Sequence, residues 1–223
     1  MPGDPILRDK IVILNDLLIE KWGPKPRMGH DPMDTLMITI LSQNTNDINR
    51  DRAFDTLRQR FSTWEAVQNA PADNVVEAIR TAGLANQKGP RMQEALSIIA
   101  ERAGSLNLDF LGQMDLEEAR LWLMSIKGVG PKTAAIVLCF AFGKPAFPVD
   151  THVHRVSKRL GLIGPKATRE KAHVILENLV PPELCHVFHL NLIEHGRHVC
   201  KAGQPLCEIC TIRDCCDYAQ NDL

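Results

Sequence analysis

The sequence predicts an all-α fold, and three observations point to it. Apolar residues recur at helical spacing through most of the 223-residue chain, with no convincing run of the period-2 alternation expected of half-buried strands. Helix start and stop signals (Asp31-Pro32, Asp115 with Glu118, Gly161) fall between those apolar stretches. Hydrophobic content of 44% with 24% charged residues is ordinary for a globular chain long enough to bury a substantial core.

The elements follow in order. Residues 5–21 read as an amphipathic helix with Ile6, Ile11, Leu14, Leu17 and Leu18 on its apolar side, stopped by Gly23-Pro24. Residues 25–31 form a polar linker. Asp31 is an N-cap beside Pro32, and residues 33–41 are apolar nearly all round, which suits a buried helix. That run ends in the polar tract Ser42-Gln43-Asn44-Thr45-Asn46-Asp47. The tract either presents amides to a ligand or simply caps the next helix, residues 48–61. Shorter helices are expected at 64–69 and 73–81, a turn at 83–87 and a longer helix over 88–102. Asp115 and Glu118 make a capping box for a helix ending at Ile126, and Pro131 opens another that runs to Phe142. Beyond Asp150, residues 151–160 are helical with Gly161 as the stop. Residues 168–179 are helical as well, and Pro181-Pro182 opens a last long helix to about His195. No solenoid-period repeat or low-complexity segment occurs.

Bulk properties exclude several classes. With 1 Tyr and 3 Trp, an aromatic stacking surface for single strands is not expected. A formal net charge of -1 argues against a polyanion-coated protein but permits a local basic face. No apolar run reaches membrane-spanning length, and MPGDPILRDK lacks the apolar core of a signal peptide. The expected location is the cytoplasm, or the nucleus in a eukaryote.

Residues 126–150 concentrate the candidate chemistry. Between Ile126 and Pro131 stand Lys127, Gly128, Val129 and Gly130. Two glycines one residue apart permit positive φ and close backbone approach, so the loop and the next helix's first turn could hold a phosphate or be a bare tight turn. Lys132 falls near the positive end of a helix dipole, where a cation is disfavoured. It is therefore either a phosphate binder or an amine tuned toward nucleophilic use. Asp150, before Thr151-His152-Val153, has the form of a helix N-cap. Arg155, Lys158 and Arg159 form a basic face that could meet a phosphate backbone or solvent.

Of 7 cysteines, Cys139 and Cys185 stand in apolar helical contexts and read as buried hydrophobes. The other five lie between Cys200 and Cys216, a pattern that favours metal over disulfides in a chain without a secretion signal. Cys200, Cys207, Cys210 and Cys216 follow C-x6-C-x2-C-x5-C, which fits an iron–sulfur cluster better than the paired knuckles of zinc modules. Cys215 lies next to Cys216 and would also reach.

Together these motifs resemble the endonuclease III family of helix-hairpin-helix DNA glycosylases. The resemblance runs from Pro32 to Tyr218. It is carried by LSQNTND (41–47), AGLANQK (82–88), KGVGPKTA (127–134), VDTH (149–152), HGRHVC (195–200) and the four-cysteine loop. It implies a base-excision-repair enzyme that removes oxidised pyrimidines from duplex DNA and cleaves the resulting abasic site. Lys132 would be the nucleophile and Asp150 the carboxylate that assists base loss. Lys127, Gly128, Val129 and Gly130 would hold the DNA backbone, Leu84 would wedge the duplex and Asn44 would fill the gap. Cys200, Cys207, Cys210 and Cys216 would ligate a [4Fe–4S] cluster.

The implied fold is a six-helix barrel over 32–147 and a cluster domain over 148–223, with residues 1–31 packing on the latter and a DNA-binding cleft between. The implied partner is double-stranded DNA with damaged bases or abasic sites, bound by a monomer that is nucleoid-associated or nuclear. Three positions depart from the family pattern and bear on substrate range and affinity. Asn44 replaces the usual glutamine, Met124 stands where a carboxylate is common, and the loop 201–206 carries one basic residue. A mispair-specific glycosylase and a non-catalytic iron–sulfur DNA-binding module are the competing readings. The first typically lacks the hairpin lysine, and the second would not require Lys132 and Asp150.

Overall fold

The computed structural model describes residues 4–27 and 29–221, and every regular element among them is helical. The chain divides into two compact units. One comprises the described residues up to 27 together with those from 143 onward; the other comprises residues 29–142. Among the described residues no helix is long and apolar enough to cross a membrane.

The unit of residues 29–142 contains α2 (Pro32–Leu41), α3 (Asp47–Arg60), α4 (Trp64–Asn69), α5 (Ala72–Ala78), α6 (Ala85–Ala103), α7 (Leu116–Met124) and α8 (Pro131–Phe140). Asp31 caps α2 by accepting from the Asp34 N–H at 2.8 Å, with Pro32 in the first turn. Because α2 is apolar nearly all round, it can pack against α3, α6 and α8 at once. Leu36, Met37, Ile40 and Leu41 are buried there, as are Ala134, Ala135, Val137 and Leu138 of α8. Truncating one of these leucines to alanine costs about 2–5 kcal/mol.

Several boundaries in this unit differ from expectation. The helix expected over 73–81 ends at Ala78 and passes into a 3-10 turn, Arg80–Ala82, which stops at Gly83 with φ 67°. The turn expected over 83–87 is only Gly83 and Leu84, because α6 begins at Ala85. Asp115 caps α7 by accepting from the Glu118 N–H at 2.8 Å, and α7 ends at Met124, short of Ile126.

The other unit contains α1 (Pro5–Trp22), α9 (Thr151–Arg159), α10 (Arg169–Leu179), α11 (Cys185–His198) and α12 (Asp217–Asn221). Both α1 and α9 pack on α11. The buried stripe of α1 is Ile11, Leu14, Asn15 and Leu18, a strict i, i+3, i+4, i+7 pattern. Ile6 is 77% exposed and Leu17 half-buried, since neither falls on that stripe. Pro181-Pro182 opens a 3-10 turn, Pro182–Leu184, and α11 proper starts at Cys185.

The non-helical segment leading to Asp150 is fixed by the helices beside it. The Phe147 N–H donates to Glu177 Oε2 at 3.1 Å. His173 Nδ1 hydrogen-bonds the Phe147 carbonyl at 3.0 Å, and His189 Nδ1 the Pro148 carbonyl at 2.9 Å. Two buried histidines thus hold a strand-like stretch that has no sheet to pair with.

Candidate functional site

In the unit of residues 29–142 the hairpin links α7 to α8. Gly128 adopts φ 87°, and the Val129 N–H turns back to the Ile126 carbonyl at 3.0 Å. The Val129 side chain is buried. Val129 therefore closes the turn, and its N–H does not face outward with the rest of the loop. Outward donors remain at the start of α8, where Gly130 is the N-cap without any side-chain cap. Pro131 has no N–H, and the first-turn amides of Lys132 and Thr133 have no carbonyl within the helix to pair with. A Cβ at Gly130 would meet nothing within 4 Å, so this flank is open.

Gly128 is different, since a Cβ there would meet Arg91 Cδ at 2.6 Å. Its glycine requirement comes from inside the protein. Lys132 is the second residue of α8 and is exposed; among the described residues it makes neither hydrogen bond nor ion pair. Lys127 is 76% exposed and pairs with Glu94 at 3.0 Å, a surface contact of little energetic weight that an incoming phosphate could replace.

Asn44 and Leu84 share an unusual property. They are the only non-glycine residues with positive φ among the described residues, at 53° and 52°. Asn tolerates this left-handed conformation, whereas for Leu it costs about 1–2 kcal/mol. Both are exposed, Leu84 at 48%, so no burial offsets that cost. Such strain persists where surrounding structure enforces it, and it concentrates at functional positions. Asn46, in the same tract, caps α3 by accepting from the Asn49 N–H at 2.9 Å. The tract thus caps α3 and leaves Asn44 exposed.

One helix ties these segments together. From α6, Lys88 sends its ammonium to the carbonyls of Leu41 at 2.7 Å and Ala82 at 2.8 Å. Arg91 Nη1 donates to Gln43 Oε1 at 3.0 Å, while its stem lies on Gly128. Leu84 is the N-cap of the same helix. The structure so brings together Asn44's loop, Leu84 and the hairpin. The sequence reading missed Lys88 and Arg91. Like Lys132, Lys88 is a cation in the first turn of a helix, but its burial and its two carbonyl partners leave no trace in the sequence. Burial pulls the Lys88 pKa below the usual lysine value.

Asp150 belongs to the other unit. It is half-buried and caps α9, accepting from the Val153 N–H at 2.7 Å. The basic face expected beyond it is largely occupied. Arg155 donates to the carbonyls of Cys200 at 3.0 Å and Gly196 at 2.8 Å. Arg159 donates to Cys200 Sγ at 3.2 Å and the Lys201 carbonyl at 2.7 Å, and lies over the Tyr218 ring. These two arginines hold the cysteine loop and do not form a free face for DNA. His154 likewise hydrogen-bonds the Ala167 carbonyl at 2.8 Å.

Cys200, Cys207, Cys210 and Cys216 line one apolar cavity, with His195 and Arg159 beside them, and all are free thiols. Cys215 does not line it. Burial pushes the Cys210 thiol up to about 11, and Cys216, Cys200 and Cys207 push the same way. Burial also raises Cys216 and lowers His195 to about 4. Among the described residues no group of three or more His, Cys, Asp or Glu side chains is set to grip a metal ion. The donor chemistry is nonetheless that of a soft-metal site: four sulfurs in an apolar pocket are stable as thiolates only beside compensating positive charge.

Comparison with known proteins agrees with these motifs. Residues 37–182 match the family model described as HhH-GPD superfamily base excision DNA repair protein. The chain is 36% identical over 200 residues to endonuclease III of Thermotoga maritima, covering 90% of this chain and 89% of that protein. It is also 36% identical over 193 residues to endonuclease III of Sulfolobus acidocaldarius, covering 85% and 83%. Its fold matches a trapped endonuclease III–DNA covalent intermediate with TM-score 0.81 and 27% identity, over 96% of this chain and 98% of that one. The chain belongs to the endonuclease III family of HhH-GPD base-excision-repair DNA glycosylases.

Proposed function

We propose that this protein is a bifunctional glycosylase and AP lyase that removes oxidised pyrimidines from duplex DNA. The observation that carries the reading is Lys132: an exposed, unpaired amine in the first turn of α8, next to the open flank of Gly130. A base inside the duplex must be flipped out before any side chain can reach its sugar. Breaking the glycosidic bond develops positive charge on that sugar, which the Asp150 carboxylate stabilises. Lys132 Nζ bonds to C1′ as the base departs, and ring opening gives an iminium. The iminium acidifies the C2′ hydrogen; its loss expels the 3′ phosphate and cleaves the strand. The solved relative of like fold is itself a trapped covalent intermediate, which supports a covalent route.

The DNA-holding roles go with this reading: Gly128, Val129, Gly130 and Lys127 shape the backbone-binding hairpin, Leu84 wedges the duplex and Asn44 fills the vacated space. The domain assignment also goes with it, as 32–147 with the hairpin, 148–223 with the cysteine loop, and 1–31 joined to the latter by the packing of α1 on α11. Cys200, Cys207, Cys210 and Cys216 would hold a [4Fe–4S] cluster, whose charge stabilises the thiolates and cross-links a loop otherwise built of short turns. The protein acts as a monomer on double-stranded DNA, in the cytoplasm at the nucleoid or in a nucleus. Borohydride treatment of the protein with abasic duplex DNA should trap a covalent adduct, absent with Lys132→Gln. Absence of an adduct with the unaltered protein would refute the lyase.

A further inference from the structure

We propose that Lys88 is a positioning residue for duplex recognition: its side-chain nitrogen holds the Asn44 loop and Leu84 on one common base. The inference rests on the function proposed above for Asn44 and Leu84. Lys88 is only 2% exposed, yet among the described residues it makes no ion pair with a carboxylate. Its partners are two backbone carbonyls far apart in sequence, Leu41 at 2.7 Å and Ala82 at 2.8 Å.

Each carbonyl lies just before a residue with positive φ. Leu41 ends α2, three residues before Asn44; Ala82 ends the 3-10 turn, two before Leu84. These two residues hold the only positive φ angles outside glycine among the described residues. Carbonyls at helix ends have no partner within the helix and carry the negative end of its dipole. The Lys88 nitrogen satisfies one carbonyl at each of two such ends.

Lys88 also stands in the first turn of α6, where its own helix disfavours a cation. Burying an ammonium with no counter-charge carries a desolvation cost that its two carbonyl hydrogen bonds must offset. A lysine here makes sense if the two loops must keep one fixed spacing. Asn44 and Leu84 must act together on one duplex, one in the vacated space and the other between strands. A shift of either by about 1 Å would cost much of the reaction rate. Thr81 Oγ1 with the Asn49 carbonyl at 3.5 Å is a long secondary contact, and Arg91 holds Gln43 at 3.0 Å from the next turn of α6; the lysine nitrogen is the group that bonds the two helix ends at once.

The test uses the full-length protein with Lys88→Met, which keeps the apolar stem and removes the donors. Cleavage is measured at an abasic site in a duplex and in a single strand, where no wedge or gap-filler is needed. Expected is a loss on the duplex about tenfold greater than on the single strand. In an Asn44→Ala, Leu84→Ala background the same change should lower the duplex-to-single-strand ratio by less than about twofold, because its targets are already gone.

Equal loss on both substrates, no loss on either, or full additivity in the double-alanine background would overturn the proposal. If Lys88→Met does not fold by circular dichroism, Lys88→Gln, whose amide still reaches one carbonyl, takes its place; failure of both to fold makes Lys88 merely structural and also overturns it. Should the unaltered protein cleave no abasic DNA, the lyase reading fails separately. Lys88 is then judged by binding, as preference for a duplex with a tetrahydrofuran abasic analogue over the intact duplex, with the same variants and the same expected ratios.

Discussion

At the scale of single residues, the site is marked by conformations and charges that cost stability. Leu84 holds φ 52° while almost half exposed, so nothing local offsets its backbone strain. Leu84→Gly should relieve that strain while loosening the unfolded chain, leaving stability within about 1 kcal/mol of the original. It should nonetheless lower duplex cleavage by about tenfold, because the wedge is gone; unfolding curves and initial rates check both halves. Gly128 should behave oppositely. Its φ of 87° and the approach of Arg91 Cδ to 2.6 Å from where a Cβ would stand give Gly128→Ala a cost of about 1–3 kcal/mol. Adding Arg91→Ala should return only part of it, measured by denaturant midpoint, since the positive φ remains. Lys132 was legible from sequence because a cation at a helix start stands out. Asn44 and Leu84 were not legible from their own chemistry: a positive φ leaves no trace in an Asn or a Leu, and only family resemblance singled them out.

At the scale of elements, α9 shows how a sequence pattern can be right about composition and wrong about direction. Arg155, Lys158 and Arg159 do share a helix, but Arg155 and Arg159 turn toward the cysteine loop, where they meet the Cys200 carbonyl and sulfur. Periodicity gives the face on which a charge lies; it cannot say whether carbonyls of a distant loop await it there. The cysteine loop poses the same problem in reverse. Spacing selects Cys216 with Cys215 also within reach, and in the fold Cys216 lines the cavity while Cys215 does not. Cys216→Ser should therefore abolish or greatly reduce iron content and visible absorbance in purified protein, whereas Cys215→Ser should keep both. Iron retained by the first and lost by the second would reverse the assignment.

At the scale of the whole molecule, the all-α class was legible because apolar spacing and caps agreed over long stretches, from Asp31 through the capped start of α9. Small boundary shifts, such as α6 starting at Ala85, follow from backbone conformations that composition does not encode. The net charge of -1 gives the chain as a whole no net attraction to DNA; in the function proposed above, grip comes from particular groups such as Lys132 and the first-turn amides of α8. The division into units gives a further expectation. Residues 29–142 are continuous in sequence and have their own buried core, so expressed alone they should give a helical circular dichroism spectrum and a cooperative melt. Residues 143–223 alone, lacking α1, should not.

That discontinuity has a consequence for synthesis. Lys10 of α1 donates to the Leu160 carbonyl at 2.6 Å and pairs with Asp217 at 2.7 Å, while Gly161 leaves room for the Asp217 carboxylate, which would lie 1.8 Å from any Cβ. Residues far apart in the chain, in α1 and at the start of α12, therefore meet at one point. Helix α1 must wait, its apolar stripe uncovered, until α11 and Asp217 emerge, whereas the unit between can fold on the way. Translation order thus makes the cysteine-bearing unit close after the unit of residues 29–142, and a metal centre held there would be loaded into a chain whose other unit is already built.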